Sequence, residues 1–537
     1  MPTLLFDTGD FLQGTPLADY SIQPEADHPH PIAYAFNKLN YDAIALGNHD
    51  FDYGIETLRQ IVEQIDCPVL SANVALNRGN PPYAATTLIS VPASKNDEAA
   101  SIKVGVLGLT TPALALMDQK GCNVLTVTNP VTTARIAVDE LQDQGADIIV
   151  ALCHFGIDPD DHTENVAADI AEIVGIDAVM AGHTHETFPI GSPRRGQSID
   201  FSAGTICNTP TVMAGAFGQQ LGVIELRLIH EDHTIKVDGH HVELCAPLAS
   251  GSSHDEPFAA ITPLHDQAVA HLNKRIAETT LPLSTEFSLI EPDLTQYLLA
   301  SARQSHIEAM LSGTSDAYLP IISTATPFQT GNRDNPNGFI RKPPGPISQR
   351  DVAAIYPFNN PAVALRRNGA QIKNWLEESA LIFGPITPGQ SVQNLIDPQI
   401  PPYRFDTIFG LTYSIDASAR PGHKISKLKR NGQTICDTDL FILATSTYRV
   451  SHDNTIPPED IICLSEQSSQ EILIQFLRKQ SPVAVTCPFV WDFKAIPNTK
   501  AQFTSSPAAN LAMSNRQLSD DGLTPQGFRQ FTIDFGG

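Results

Sequence analysis

The sequence predicts an α/β protein with two domains. Its N-terminal half alternates short apolar runs of strand length with segments of helical period. At 537 residues the chain is too long for one compact core, and a stretch rich in Pro, Ser and Ala at 246–263 interrupts the pattern near its middle. We therefore expect an N-terminal domain at residues 1–245, a linker with a connecting helix at 246–285, and a C-terminal domain at 286–537, whose tail from residue 465 has no readable role.

Four predicted strands of the N-terminal half each stop at residues that can bind a metal ion. The apolar runs 3–6, 43–46, 147–152 and 177–181 lead into Asp-Thr-Gly-Asp, Gly-Asn-His-Asp, Cys-His-Phe-Gly and Gly-His-Thr-His, respectively. Open α/β sheets place their ligands at the carboxyl ends of strands. The four strand ends are therefore expected to meet at one site.

These strand ends carry the oxygen and imidazole donors of a two-metal site. Asp10 can bridge both metals, and Asn48, His154 and His183 can complete one of them. His185 lies two residues after His183, so in an extended segment both imidazoles point to the same side, and His185 would serve the second metal. The donor set suits two divalent ions of the Mn, Zn, Co or Mg class.

The second strand end also carries a candidate catalytic pair. His49 follows Asn48 directly and precedes Asp52 by three residues. A histidine held by a carboxylate can act as a general acid or stabilise developing charge. We expect His49, oriented by Asp52, to be catalytic rather than a metal ligand.

The remaining elements follow from periodicity and turn residues. In the first half we expect helices at 32–39, 55–65, 132–144 and 164–173, a buried strand at 102–109, and strand-like runs at 69–72, 202–205, 211–213 and 221–228. Further on we expect a connecting helix at 263–279, helices at 294–311, 369–380 and 471–479, a strand entering the loop at 320–335, and strands within 407–415.

Composition excludes several classes of partner. With 34 Lys and Arg against 59 Asp and Glu, the net charge of −25 argues against a nucleic-acid polymer or an anionic membrane surface. The longest apolar tract, residues 104–117, is interrupted by Thr and Pro and falls short of a membrane span. A small anionic substrate and a monomer are expected. Met1 runs directly into the first strand without a signal peptide, which taken literally indicates the cytoplasm.

These motifs resemble the calcineurin-like metallophosphoesterases of the two-domain 5'-nucleotidase family. Residues 9–20, Gly-Asp-Phe-Leu-Gln-Gly-Thr-Pro-Leu-Ala-Asp-Tyr, are most similar to its 2',3'-cyclic-nucleotide 2'-phosphodiesterase/3'-nucleotidase branch. The resemblance continues through His-Pro at 30–31, Ser-Ala-Asn at 71–73 and Gly-His-Thr-His at 182–185. It implies an N-terminal two-sheet α/β sandwich that holds the metals and a C-terminal α/β domain that binds the substrate.

The same resemblance extends into the C-terminal half, to at least residue 450. The run Thr-Pro-Phe-Gln-Thr-Gly-Asn-Arg at 326–333 is similar to the family's substrate loop, Ala-Pro-Phe-x-x-Gly-Gly-Arg, with Asn332 in place of the second Gly. Arg333 falls on the Arg of the family's substrate-binding loop. Tyr403 and Tyr448 fall where the family places two aromatic side chains that sandwich the nucleobase.

The resemblance implies hydrolysis of 2',3'-cyclic nucleotides to 3'-nucleotides, and of 3'-nucleotides to nucleosides and phosphate. Within the same chemistry the alternative is a 5'-nucleotidase or nucleotide-sugar (UDP-sugar) hydrolase. Outside it, the alternative is a nucleotide-binding protein with weak or no turnover.

One family motif is not found in this sequence. Members of the family begin with a strand ending in Asp-x-His, which completes the metal otherwise held by His185 and Asp10, and the nine residues before Asp10 contain no such motif. We expect that the coding sequence begins upstream of Met1, and that the omitted segment carries this strand and an export signal to the periplasm. Without it, the expectation is a chain that folds poorly, or binds one metal and turns over slowly.

Overall fold

The computed structural model describes residues 2–23, 29–94, 97–115, 124–190, 199–231, 234–246, 256–331, 335–358, 360–451 and 456–536. The chain divides into two compact units, Met1–Val269 and Ala270–Gly537. We call them unit 1 and unit 2. Within the described residues, no helix combines the length and apolarity needed to cross a bilayer.

Unit 1 contains two main sheets. A parallel three-stranded sheet has the order β1-β2-β3, and an eight-stranded sheet has the order β11-β12-β13-β9-β8-β6-β5, with β10 paired to β13. The hairpin β14-β15 and the pair β4-β7 complete the unit. The strands are β1 (Phe6–Asp7), β2 (Ala43–Ala45), β3 (Val69–Leu70), β4 (Val74–Leu76), β5 (Thr86–Ser94), β6 (Asp97–Thr110), β7 (Leu125–Val127), β8 (Ile148–His154), β9 (Ala178–Ala181), β10 (Thr187–Phe188), β11 (Ile199–Asp200), β12 (Thr205–Ile206), β13 (Thr209–Ala214), β14 (Leu221–Glu231) and β15 (Thr234–Cys245).

The two sheets of unit 1 form a layered sandwich. Ala43, Ala45 and Leu70 of the small sheet share one core with Val106 and Leu152 of the large sheet. On its other face, each sheet packs against helices in a core of its own. The helices of unit 1 are Pro16–Ser21, Pro31–Leu39, Ile55–Val62, Pro130–Asp143 and Ala167–Ala171, followed by Thr262–Leu272 at its boundary.

Strand direction brings the predicted metal-binding residues of unit 1 to the same end of its sheets. β1 pairs in parallel with β2, with Asp7 opposite Ile44. β8 pairs in parallel with β6 and β9, with Cys153 opposite Ala181. The segments that follow β1 and β2 therefore leave the small sheet in the same sense, and those that follow β8 and β9 leave the large sheet in the same sense. These are the four segments in which the sequence predicts metal-binding residues.

Unit 2 has its own core around a five-stranded sheet of order β22-β18-β26-β21-β27. Smaller sheets are β25-β24-β23-β28, β29-β31-β30, β16-β20 and β17-β19. The strands are β16 (Arg275–Thr279), β17 (Leu283–Ser284), β18 (Ile321–Ala325), β19 (Arg341–Lys342), β20 (Gly345–Ser348), β21 (Pro361–Asn368), β22 (Thr407–Phe409), β23 (Thr412–Ile415), β24 (Ile425–Arg430), β25 (Gln433–Thr434), β26 (Leu440–Ser446), β27 (Ile461–Ser468), β28 (Trp491–Phe493), β29 (Lys500–Ser505), β30 (Leu518–Leu523) and β31 (Arg529–Asp534); the helices are Leu294–Leu311, Gln349–Ile355, Gly369–Ser379, Thr447–Ser451 and Ser469–Gln480.

The helix predicted at 294–311 has the same bounds in the structure, because its start signal is strong. The Asp293 side chain accepts hydrogen bonds from the backbone amides of Thr295 and Gln296. In turn, the Gln296 side chain accepts a hydrogen bond from the backbone amide of Asp293. This capping box satisfies amides that the first helical turn leaves without partners.

The connecting helix predicted at 263–279 is too long. The structure ends it at Leu272, and residues 275–279 form β16, which pairs antiparallel with β20. Ile276 and Ala277 are buried by this pairing. The spacing of these apolar residues also fits a helix, so periodicity alone could not distinguish a helix from a strand at residues 275–279.

Acid should destabilise unit 1 through His30. This side chain is 3% exposed, and neither ring nitrogen has a hydrogen-bond partner among the described residues. Burial lowers the pKa of His30 to about 4, from 6.5. Below pH 6.5 His30 is therefore protonated in the unfolded chain but stays neutral in the folded chain. Because of this difference, the free energy of unfolding should fall by roughly 3 kcal/mol as the pH drops from 6.5 to 4.

The variant His30→Leu should remove this part of the acid sensitivity. It leaves in place the hydrogen bond from the His30 backbone amide to Gln64. Calorimetric unfolding of both proteins between pH 7 and pH 4.5 measures the difference, which isolates His30 from the carboxylates that titrate in both. Equal losses of stability in the two proteins would contradict the assignment.

Candidate functional site

Three of the predicted metal ligands lie together in unit 1. Asp10, His154 and His183 each offer one ligand atom, and these atoms all lie within 4.8 Å of one another. Nε2 of His154 is 2.9 Å from Oδ2 of Asp10. Nε2 of His183 is 3.3 Å from a carboxylate oxygen of Glu164. A carboxylate between two imidazoles is a donor set that fits a divalent transition metal.

The backbone fixes which nitrogen of His154 faces this cluster. Its Nδ1 lies 2.7 Å from the carbonyl oxygen of Thr8 and donates to it, which leaves Nε2 as the nitrogen toward Asp10. Such an outer hydrogen bond selects the tautomer in metal-binding histidines. Burial alone would raise the pKa of Asp10, but the charge and hydrogen bond of His154 hold that pKa well below its usual range. The same contact raises the pKa of His154 despite its burial.

Several predicted ligands have an unusual backbone conformation. Asp10, His183 and His185 have φ angles of 64°, 71° and 60°. Residues other than glycine rarely adopt this left-handed region, and such outliers concentrate at functional sites. The surrounding structure therefore holds these side chains in place at a cost to the backbone.

The remaining two predicted ligands, Asn48 and His185, differ in their exposure to solvent. Asn48 is buried, three residues after the end of β2. His185 is exposed and lies outside the Asp10 cluster, with its ring centroid 6.0 Å from that of Phe217. The structure thus brings together Asp10, His154 and His183, and His185, the donor predicted for the second metal, does not belong to that cluster.

The predicted catalytic pair is in contact. Nδ1 of His49 lies 2.7 Å from Oδ2 of Asp52, and the backbone amide of His49 donates to Oδ1 of Asp10 over 2.8 Å. Burial lowers the pKa of His49, but the hydrogen bond and charge of Asp52 outweigh it and raise that pKa to about 9. The ring is therefore oriented by Asp52 and favours its charged form.

A buried carboxylate that sequence reasoning did not single out organises this region. Asp50 has no exposed surface, and its two oxygens accept four backbone amide hydrogens, from Asp10, Phe11, Leu12 and Gly47, over 2.8 to 3.0 Å. Burial and the nearby charge of Asp10 raise the pKa of Asp50 to about 7, against the opposing effect of these hydrogen bonds. Asp50 thus ties the loop after β1 to the turn after β2.

Two glycines allow these segments to approach each other. A Cβ atom at Gly9, which has φ of 101°, would lie 2.4 Å from the backbone nitrogen of Gly47. A Cβ atom at Gly47 would lie 2.1 Å from Oδ1 of Asp10. Any side chain at either position would displace the Asp10 carboxylate or the loop that carries it.

Unit 2 contains a pocket at the predicted base-binding residues. Tyr403 and Tyr448 both line it, together with Phe328, Tyr356 and Phe358. The rings of Tyr403 and Tyr448 meet edge to face, with centroids 6.4 Å apart and planes at 86°. A base between two parallel rings needs about 7 Å, from two contacts of about 3.5 Å. One ring must therefore turn before a base can be sandwiched.

Charged residues that sequence reasoning missed also line this pocket. They are Arg303, Asp406 and Arg449. Arg303 is 3% exposed, with its guanidinium 4.7 Å from the centroid of the Tyr356 ring. The Tyr-Arg pair at 448–449 was the available signal in the sequence. Arg333, a predicted substrate-binding residue, lies outside the described residues.

Comparison with known proteins agrees with this division of the chain. The calcineurin-like phosphoesterase family matches residues 1–187, and the 5'-nucleotidase C-terminal domain matches residues 302–457. A Yersinia enterocolitica protein named 2',3'-cyclic-nucleotide 2'-phosphodiesterase/3'-nucleotidase is 30% identical over 577 residues, covering 99% of this chain and 88% of its own length. A Salmonella typhimurium protein of the same name is 30% identical over 477 residues, covering 83% of this chain and 74% of its own length.

A longer relative and a solved structure extend the comparison. The trifunctional nucleotide phosphoesterase YfkN of Bacillus subtilis is 28% identical over 535 residues, and this chain spans 36% of its length. The structure of a putative 5'-nucleotidase from Staphylococcus aureus matches with a TM-score of 0.68 and 21% identity, covering 91% of this chain and 90% of that chain. At this identity the match concerns the fold alone.

The predicted fold class and the family resemblance are therefore both confirmed. The chain belongs to the metallophosphoesterase family in which a calcineurin-like phosphoesterase domain precedes a 5'-nucleotidase C-terminal domain, together with the 2',3'-cyclic-nucleotide 2'-phosphodiesterase/3'-nucleotidases.

Proposed function

We propose that this protein hydrolyses 2',3'-cyclic nucleotides to 3'-nucleotides, and 3'-nucleotides to nucleosides and phosphate. The observation that carries the proposal is the cluster of Asp10, His154 and His183, with His49 joined to it through the backbone. The names of the Yersinia and Salmonella relatives support the choice of substrate. A nucleotide has a phosphoester and a base, and units 1 and 2 carry groups suited to each.

The donor set of unit 1 suits divalent metal ions, which would be held by Asp10, His154 and His183, with Asn48 and His185 as further ligands. Divalent ions at such a site neutralise charge on the phosphoryl group and provide a nucleophile from water at neutral pH. Thr8 keeps Nε2 of His154 available as a ligand by accepting a hydrogen bond from its Nδ1. Two ions of the Mn, Zn, Co or Mg class are proposed.

His49 would act on the leaving oxygen of the ester. Asp52 accepts a hydrogen bond from its Nδ1, so Nε2 remains as the nitrogen that can donate a proton to the leaving group. The raised pKa of His49 keeps that proton in place at neutral pH. Asp52 orients the ring and stabilises its charge.

The activity should appear when the purified protein is given Mn²⁺ and 2',3'-cyclic AMP. Chromatography should show 3'-AMP first and adenosine with phosphate later, while Asp10→Asn should lose activity because it weakens a shared ligand. Preferential release of phosphate from 5'-AMP would instead support the 5'-nucleotidase alternative. Saturable binding of the cyclic nucleotide without any product would support a binding protein and contradict the proposal.

The variant His49→Ala should lower kcat by roughly two to four decades, the range for a lost general acid or charge stabiliser. Its metal content, measured by mass spectrometry, should equal that of the wild type. His241→Ala is the matched control, because His241 lies near Glu243 on the exposed hairpin β14-β15, and it should leave kcat unchanged. Loss of metal from His49→Ala would make His49 a ligand and contradict its proposed role.

Replacing Tyr403 or Tyr448 by Ala should raise KM for nucleotides by an amount equivalent to about 1–3 kcal/mol of lost stacking. Hydrolysis of bis(p-nitrophenyl) phosphate, which has no base, should change little. Steady-state kinetics on both substrates measures the difference. Equal damage to both would show that the tyrosines support the fold of unit 2 rather than the base.

A further inference from the structure

We propose that Arg449 is a positioning residue for base binding, which holds Tyr403 and Tyr448 relative to each other through a buried ion pair with Asp406. This inference rests on the proposed function, because it assigns the aromatic pair to the base of the nucleotide. It goes further in assigning different parts to the two tyrosines. Tyr448 is the fixed surface on which the base stacks, and Tyr403 is the ring that turns to cover it.

The guanidinium of Arg449 connects the two sides of the pocket. Its Nη2, whose two hydrogens are shared among three acceptors, lies 2.5 Å from the carbonyl oxygen of Tyr403 and 2.7 Å from Oγ1 of Thr326. Its Nε and Nη2 each lie 2.9 Å from one oxygen of Asp406. The Arg449 side chain is 16% exposed and that of Asp406 is 4% exposed. Shielding from water makes this two-point contact stronger and more directional than a surface ion pair.

Asp406 is itself held by other elements of unit 2. Its carboxylate accepts hydrogen bonds from Oγ1 of Thr326 over 2.5 Å and from Nε1 of Trp375 over 2.9 Å. Its backbone amide donates to Oγ of Ser379 over 3.3 Å. Trp375 and Ser379 belong to the helix Gly369–Ser379, and Thr326 follows β18. The carboxylate therefore gives Arg449 a fixed reference point on the core of the unit.

Arg449 contacts the two tyrosines in different ways. Its Cζ lies 5.7 Å from the ring centroid of Tyr448, within the range of a cation–π interaction. The guanidinium thus lies over the Tyr448 ring, and its ion pair with Asp406 holds it there. Tyr403 is held through its backbone carbonyl, and its side chain is 37% exposed. Its ring can turn while its backbone stays attached to Arg449.

The edge-to-face geometry of the two rings requires such a division. With planes at 86°, a base that stacks on one ring meets the edge of the other. Turning the exposed Tyr403 ring removes this conflict without breaking the ion pair below it. Turning Tyr448 would instead give up its contact with the guanidinium. Arg449 therefore selects which ring moves.

The test uses Arg449→Lys in the full-length protein. Lysine keeps the charge but cannot make two parallel hydrogen bonds to Asp406 and also reach the Tyr403 carbonyl. KM for 2',3'-cyclic AMP should rise about tenfold, and the Kd for free adenosine, measured by calorimetry, should rise similarly. The kcat for bis(p-nitrophenyl) phosphate should stay within about twofold, because that ester uses no base pocket.

The matched control is Arg367→Lys. Arg367 forms another largely buried ion pair with Asp460 in the same unit, and neither residue lines the pocket. This variant reports the general cost of weakening such a pair, and it should leave KM and Kd unchanged. Equal losses on both esters in Arg449→Lys, or unchanged KM for the nucleotide, would overturn the positioning role.

A second measurement does not depend on the proposed function. In protein labelled with 3-fluorotyrosine, the ¹⁹F signals of Tyr403 and Tyr448, assigned with Tyr→Phe variants, should shift or broaden in Arg449→Lys but not in Arg367→Lys. Unchanged signals would overturn the inference even if adenosine binds. Changed signals in a protein whose wild type binds no adenosine would keep the positioning role and reject the proposed function of the pocket.

Discussion

The four hydrogen bonds to Asp50 are the interaction on which the rest of the unit 1 site depends. A single carboxyl group accepts hydrogen bonds from the backbone amides of two separate segments. One segment carries Asp10 and the other carries Asn48 and His49. Without the hydrogen bonds to Asp50, these two segments would no longer be held at a fixed distance from each other, and the side chains of Asp10 and His49 would lose their relative position.

Backbone strain and this clamp act together. The left-handed φ angles of Asp10, His183 and His185 would each relax in a free peptide. They persist because strands β1, β2, β8 and β9 fix the ends of the loops and because Asp50 fixes the loop between them. The folded chain thus meets the cost of arranging these side chains during folding, so that cost would not recur if they bind a ligand.

The sequence could predict the residues of the site better than their arrangement. Polar residues after apolar runs identified the segments with Asp10, Asn48, His154 and His183, because strand ends follow from alternation and length. Asp50 was missed, since a carboxylate that clamps amides looks the same in sequence as a solvated one. Asp406 and Arg449 were missed for a related reason, because they lie 43 residues apart and only the sheet of unit 2 brings them together. The predicted end of the connecting helix was wrong, because residues with a helical spacing of apolar side chains pair instead as β16 with β20.

If the pocket binds a nucleobase as proposed, the contact between Tyr403 and Tyr448 would add selectivity before any base-specific hydrogen bond forms. An edge-to-face pair contributes about 0.5–1.5 kcal/mol, which a ligand that separates the rings must replace. This internal competition would lower the apparent affinity of such a ligand by about two- to thirteenfold. A flat aromatic ring would recover the loss by stacking on two faces, whereas a ligand without an aromatic ring would not. The ring pair would therefore favour aromatic ligands over small polar metabolites.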